Sequence, residues 1–250
     1  MGFRAVLGMA LLLASAAGHA TAQQAASESR NFRITPLRPV EELRREALNA
    51  SPPPQPGRLT APDLVELTQL DPGIRLDIRY ATANNFMGAP FYTVARAFLQ
   101  RPAAMGVARA HRALTAKGYG LLIHDGYRPW HVTKMFWEGT PPEMRQFVAD
   151  PEKGSLHNRG CAVDLTLYHL ETGDTVEMPS GYDELSERAY SDYGGGTAEQ
   201  RRLRDLLRSS MEAEGFAAFP LEWWHFNYAP CDYPVLNLQL EDLPATARNP

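Results

Sequence analysis

Two stretches far apart in the chain restrict its folding more than anything else in it. They are Ser155-Leu156-His157-Asn158-Arg159-Gly160-Cys161-Ala162-Val163-Asp164-Leu165-Thr166-Leu167 and Glu222-Trp223-Trp224-His225. Together they carry two imidazoles and a carboxylate, with a further carboxylate three residues before the last imidazole. Three protein ligands of these types, an open fourth position and an adjacent base make up a catalytic zinc site. A chain that uses them together must fold so that the two stretches meet.

Each residue has an ordinary reading beside the chemical one. His157 sits in a loop that Gly160 can bend sharply, and Asp164 enters an apolar strand just beyond the bend. An ionised Asp in a buried strand is costly unless a cation or hydrogen bonds compensate it. Alone, a His and an Asp seven apart are a weak signal. Glu222 lies among aromatics, where exclusion of water raises a carboxyl pKa, and such a base can shuttle a proton from water to a leaving amine. Helical His-Glu-x-x-His proteases divide the work in this way, but two adjacent Trp suit a strand better. A strand-edge salt bridge is the plain alternative for Glu222. Arg128 precedes Pro129, so its backbone is held extended, and a fixed guanidinium there can face an oxyanion. An ordinary ion pair explains Arg128 equally well. His111, His124, His131 and His169, taken singly, need no function.

The start of the chain reads as a signal peptide, residues 1–22. Met1-Gly2-Phe3-Arg4 is a short positive opening, an apolar run too short for a membrane span follows, and Ala20-Thr21-Ala22 is a small-x-small cleavage pattern. The mature chain is therefore expected in the periplasm or at the cell surface, with no membrane span. A formal charge of −4 with no basic stripe points away from nucleic acid as a partner. Cys161 and Cys231 are the only cysteines. If the two stretches are neighbouring strands a disulfide can join them; two small buried side chains are the alternative.

Residues 23–60 read as a Pro-rich tail or linker, with a short charged helix over Val40–Leu48 and an extended run at 51–57. The catalytic domain is set at 61–250. Residues 74–80 alternate apolar and polar, which predicts a strand. Pro102 opens a helix with Met105, Ala108, His111 and Leu114 on one face, and Tyr119–Asp125 reads as an interior strand. Short helices are predicted at 130–137 and 142–148, and a strand at 162–167. Thr197-Ala198-Glu199-Gln200 is a capping box opening a helix with Leu203, Leu206, Leu207 and Met211 as its stripe, ended by Gly215. An aromatic strand follows within 216–228. Strands separated by helices without βαβ alternation predict an α+β fold, a small, mostly antiparallel sheet with helices packed on it.

The linked set Ser155-x-His157-x-x-Gly160-x-Ala162-x-Asp164 and Glu222-x-Trp224-His225 resembles the D-alanyl-D-alanine dipeptidases of the vancomycin-resistance type. So do Arg79-Tyr80-Ala81-Thr82 with Asn85-Phe86, Asp125-Gly126-Tyr127-Arg128-Pro129 and Asp183-Glu184-Leu185-Ser186-Glu187-Arg188. These enzymes belong to a zinc D-Ala-D-Ala peptidase superfamily that shares its fold with the hedgehog signalling domain, and the likeness spans about Asp63 to Tyr228. The resemblance implies a single zinc ion held by His157, Asp164 and His225, Glu222 as general base and acid, and Arg128 as transition-state stabiliser. It implies Ser155 and Tyr80 as cavity-lining substrate contacts, and D-Ala-D-Ala as the substrate. Residues 23–60, the signal peptide and Cys161 depart from the pattern. Two other readings share the motif: a D,D-carboxypeptidase or endopeptidase acting on peptidoglycan stems, and a zinc-bearing wall-binding module without catalysis.

Overall fold

The computed structural model of the protein describes residues 32–244. The expected signal peptide and the first residues of the tail lie outside them. In chain order the elements are α1 (Val40–Leu48), β1 (Leu64–Glu66), α2 (Leu67–Leu70), β2 (Arg75–Leu76), β3 (Phe98–Gln100), α3 (Arg101–Thr115) and β4 (Tyr119–Asp125). They continue with α4 (Trp130–Gly139), β5 (Ala162–His169), α5 (Ala198–Glu212), β6 (Phe216–Phe219) and β7 (Glu222–Tyr228). Strands β2-β4-β5-β7-β6 form one sheet in that order, and β1 pairs with β3 apart from it. Only β2 with β4 runs parallel; the other pairs are antiparallel. The fold is α+β, as the sequence predicts.

The central strands are apolar because both faces are covered. Val163, Leu165 and Leu167 of β5 are fully buried, and by the period of two Asp164 and Thr166 turn to the other face. Helices α3 and α5 pack on each other and on the sheet. The capping box at Thr197 and Gln200 opens α5 as expected, and Leu203, Leu207 and Met211 are its buried stripe. For α3 the expected stripe is partly wrong: Met105 is exposed, while Ala104, Val107, Ala108, His111 and Leu114 are buried. Each step of three residues turns the helix 60° short of a full circle, so a row of four such positions ends half a circumference away. Only β2 forms within 74–80; the chain then enters a 3-10 turn, Arg79–Ala81, which carries Tyr80 into the core.

The packed body begins before residue 61. Leu43 and Ala47 of α1 are fully buried, and α1 lies on α4. Gly139 at the end of α4 permits this, since a Cβ there would meet Met87 Cε at 2.3 Å and Leu43 Cδ1 at 3.1 Å. Two apolar residues four apart on a charged helix are too narrow a stripe to announce a core element. The extended run beyond α1 also docks: Gln55 Nε2 donates to Val235 O (3.1 Å), and Val235 N donates back to Gln55 Oε1 (2.6 Å). No described helix is long and apolar enough to cross a membrane.

Candidate metal centre and active site

The two stretches meet in the sheet. Asp164 of β5 lies directly opposite His225 of β7, and Asp125 of β4 flanks Asp164 on the other side. Strand pairing of β7 with β5 runs from Asn227 to His225, and Glu222 pairs only with Phe219 of β6. The centre therefore sits where β5 and β7 part. His157 arrives from a 3-10 turn, His157–Arg159, closed by Gly160 at φ 69°. Glycine is required there twice over, by the left-handed backbone and because a Cβ would lie 2.6 Å from Leu64 Cδ2.

Three ligand atoms converge: His225 Nδ1 is 3.0 Å from Asp164 Oδ1, and His157 Nε2 is 3.1 Å from His225 Nδ1 and 3.4 Å from Asp164 Oδ1. The outer ring nitrogens are already committed. His157 Nδ1 donates to Gly126 O (2.7 Å) and His225 Nε2 donates to Asn227 Oδ1 (2.8 Å). In the neutral tautomers this leaves both inner nitrogens as lone pairs, facing each other and a carboxylate oxygen. Three acceptors in mutual contact, two of them buried, suit a shared cation, and two imidazoles with one carboxylate are a borderline donor set compatible with a divalent transition metal at an open site. The residues present fit a metal ion; among those described they form the cluster suited to one.

The surroundings hold this set in place. Asp164 Oδ2 accepts from Tyr182 Oη (2.9 Å) and lies 3.6 Å from an Arg128 nitrogen. Burial would raise the Asp164 carboxyl, but the two imidazoles, His157 foremost, hold it well below the usual range. Arg128 donates from Nε to Asp125 Oδ2 (2.9 Å) and from its backbone to His157 O (3.1 Å). Its guanidinium lies over the rings of Tyr80 and Phe136. Asp125 is in turn fixed by Tyr92 Oη and Gly126 N, both at 2.9 Å.

Glu222 Oε2 stands 3.8 Å from His225 Nδ1. Burial, reinforced by the charges of Asp164 and Asp183, pushes its carboxyl up to about 8. Ser155 Oγ accepts from His157 N (3.1 Å), and Tyr80 Oη donates to Asp183 Oδ1 (2.9 Å). All seven residues singled out in the sequence, Tyr80, Arg128, Ser155, His157, Asp164, Glu222 and His225, line one cavity of about 280 Å³. Phe86, Phe136, Phe219 and Trp224 are among its aromatic walls. Sequence reading passed over Asp183, whose Oδ2 has no hydrogen-bond partner and whose carboxyl, raised by burial, titrates near 7. Its one signal was membership of the 183–188 segment. Asp125, which steadies Arg128, likewise stood only in the 125–129 segment, and Tyr182, which steadies Asp164, carried no signal.

A profile of the peptidase family described as D-ala-D-ala dipeptidase matches residues 60–240. The chain belongs to this family. D-alanyl-D-alanine dipeptidases are among its relatives: that of Escherichia coli is 35% identical over 70% of this chain and 89% of its own. Those of Enterococcus faecalis and Enterococcus faecium are each 36% identical, over 65% and 67% of this chain and 89% and 92% of theirs. A solved LD-carboxypeptidase overlays with a TM-score of 0.35 at 19% identity, covering 52% of this chain and 59% of that one. As a member of the dipeptidase family the chain is a peptidase, and its matched region contains every residue of the cavity named above. Helix α1, outside that region, packs on α4.

Cys161 and Cys231 form a disulfide with Cα atoms 6.2 Å apart. It joins the loop after His157 to the segment that follows β7, so the sequence-level option of a bridge is the one the fold adopts.

Proposed function

We propose that this chain hydrolyses D-Ala-D-Ala to two D-alanines with one zinc ion held by His157, Asp164 and His225. The observation that carries the reading is the convergence of three lone pairs with Glu222 and Arg128 beside them in one cavity. When bound, zinc would polarise the scissile carbonyl and acidify water. Glu222 takes the proton of the attacking water on its carboxylate and delivers it to the leaving amine, a task suited to a carboxyl poised near neutrality. Arg128, anchored through Asp125, directs its guanidinium at the charge that builds on the carbonyl oxygen. The unpaired Oδ2 of Asp183 supplies a counter-charge for the ammonium of a free dipeptide. Ser155 and Tyr80 border the same space. A cavity of about 280 Å³ has room for a dipeptide, and relatives that are D-alanyl-D-alanine dipeptidases favour that substrate over a peptidoglycan stem.

The signal-like N-terminus and the disulfide support a site of action outside the cytoplasm. D-Alanine release by the metal-loaded chain, with and without chelator, tests the activity; a pentapeptide stem assayed beside D-Ala-D-Ala separates dipeptidase from carboxypeptidase. Glu222→Ala is expected to keep stoichiometric zinc and lose most turnover, while His157→Ala loses the metal. Wild-type turnover in Glu222→Ala would remove the proton-shuttle mechanism, and no turnover of either peptide by the zinc-loaded chain would favour a binding module.

A further inference from the structure

We infer that Asn158, a fully buried residue outside the candidate ligand set, is the positioning residue that registers Arg128 against the metal loop. The inference rests on the reading of Arg128 as transition-state stabiliser. The side-chain amide of Asn158 uses three of its hydrogen-bonding positions, each on a different piece of the site. Nδ2 donates to Arg128 O at 2.9 Å and to Thr133 Oγ1 of α4 at 2.8 Å, and Oδ1 accepts from Ser155 N at 2.9 Å. Its own carbonyl accepts from Leu236 N (2.9 Å), and Leu236 O accepts from Trp130 N (3.0 Å). One residue thus ties the peptide of Arg128, the loop bearing Ser155 and His157, and the C-terminal segment into one unit.

The chemistry of the amide is specific. Arg128 is held at its guanidinium by Asp125 and at its backbone N–H by His157 O. Asn158 secures the remaining end, the carbonyl, which only a donor can hold. An ionised carboxylate in the same volume keeps the bond to Ser155 N but sets an oxygen against Arg128 O. Because burial favours the protonated acid, whose O–H can still donate, the substitution is read beside Asn158→Ala, which removes the donor at any pH. When ionised, Asn158→Asp separates the two halves of the role: the Arg128 side fails while the Ser155 side stands. Because an ångström of misplacement costs a reacting group about 100-fold, kcat for D-Ala-D-Ala is expected to fall by that order. KM is expected to stay within about threefold, since the groups that meet the ground state are undisturbed.

The test is a double-mutant cycle on the zinc-loaded chain with Asn158→Asp, Arg128→Ala and the pair, scored by kcat, KM, bound zinc and thermal melting. Acting through Arg128, Asn158→Asp lowers kcat alone but adds little once Arg128 is gone, with zinc stoichiometric throughout. Losses that multiply in the double variant overturn the inference, as does a rise in KM without a fall in kcat. If Asn158→Asp does not melt cooperatively, Asn158→Ala, which removes the donor without a charge, takes its place in the cycle. Wild-type kcat in both Asn158 variants also overturns it. If Arg128→Ala leaves kcat unchanged, the transition-state role of Arg128 falls first and this inference falls with it.

Discussion

Asp183 shows how much a single residue at this site forgoes. It holds φ at 60°, a region that non-glycine residues seldom occupy, and it leaves one buried carboxylate oxygen without a partner. Burial lifts its carboxyl from 3.8 to about 7, so the folded chain keeps a proton that the unfolded chain gives up. The stability linked to that proton is full below pH 3.8 and is lost as pH rises to about 7, by roughly 4 kcal/mol at 1.36 kcal/mol per pH unit. An amide has no such titration. In the metal-free protein Asp183→Asn is therefore expected to melt above the wild type at pH 8 and close to it at pH 4. An equal difference at both pH values would mean that the carboxyl ionises normally. The same substitution should raise KM for D-Ala-D-Ala, because the ammonium loses its counter-charge.

At the scale of elements, α1 is the piece with the plainest test. Its buried Leu43 fills the space left by Gly139 against α4, whose Phe136 lines the cavity. Leu43→Ala should cost about 3 kcal/mol in chemical denaturation, within the usual span for a buried leucine; a cost below 1 kcal/mol would make α1 a surface appendage. This helix was legible in the sequence, but its burial was not, since Leu43 and Ala47 alone are too small a stripe. Strand β4 and helix α5 were legible because an apolar run and a capping box are local signals. The strand expected at 74–80 formed only at Arg75–Leu76, since alternating burial also describes a chain that turns to deliver Tyr80. In the site, the candidate ligands, Glu222 and Arg128 were legible through the family resemblance, since each taken alone has an ordinary reading, and the fold brings all five to one cavity. Asn158 and Tyr182 stayed hidden, because their work is done by hydrogen bonds to partners that only the fold supplies.

Across the whole molecule, the chain beyond β7 fastens the site from outside. The disulfide from Cys161 begins the seam, Gln55 pairs with Val235, and Leu236 bridges Asn158 and Trp130. Asn237 Oδ1 then accepts from His131 N (2.9 Å), and Leu238 N donates to Tyr127 Oη (2.7 Å). A crosslink between residues 70 apart restricts the unfolded chain by about 4 kcal/mol in the loop-entropy account. The double variant Cys161→Ser, Cys231→Ser should lose stability of that order in denaturant, and an unchanged midpoint would show that the seam holds without it. None of the seam's backbone contributes a group to the chemistry, yet its amides and carbonyls fix the loops that do. A cut in the chain between Cys231 and Val235 would remove none of the candidate ligands, yet the strip that ties Asn158, Trp130, His131 and Tyr127 together would then be held on that side by hydrogen bonds alone.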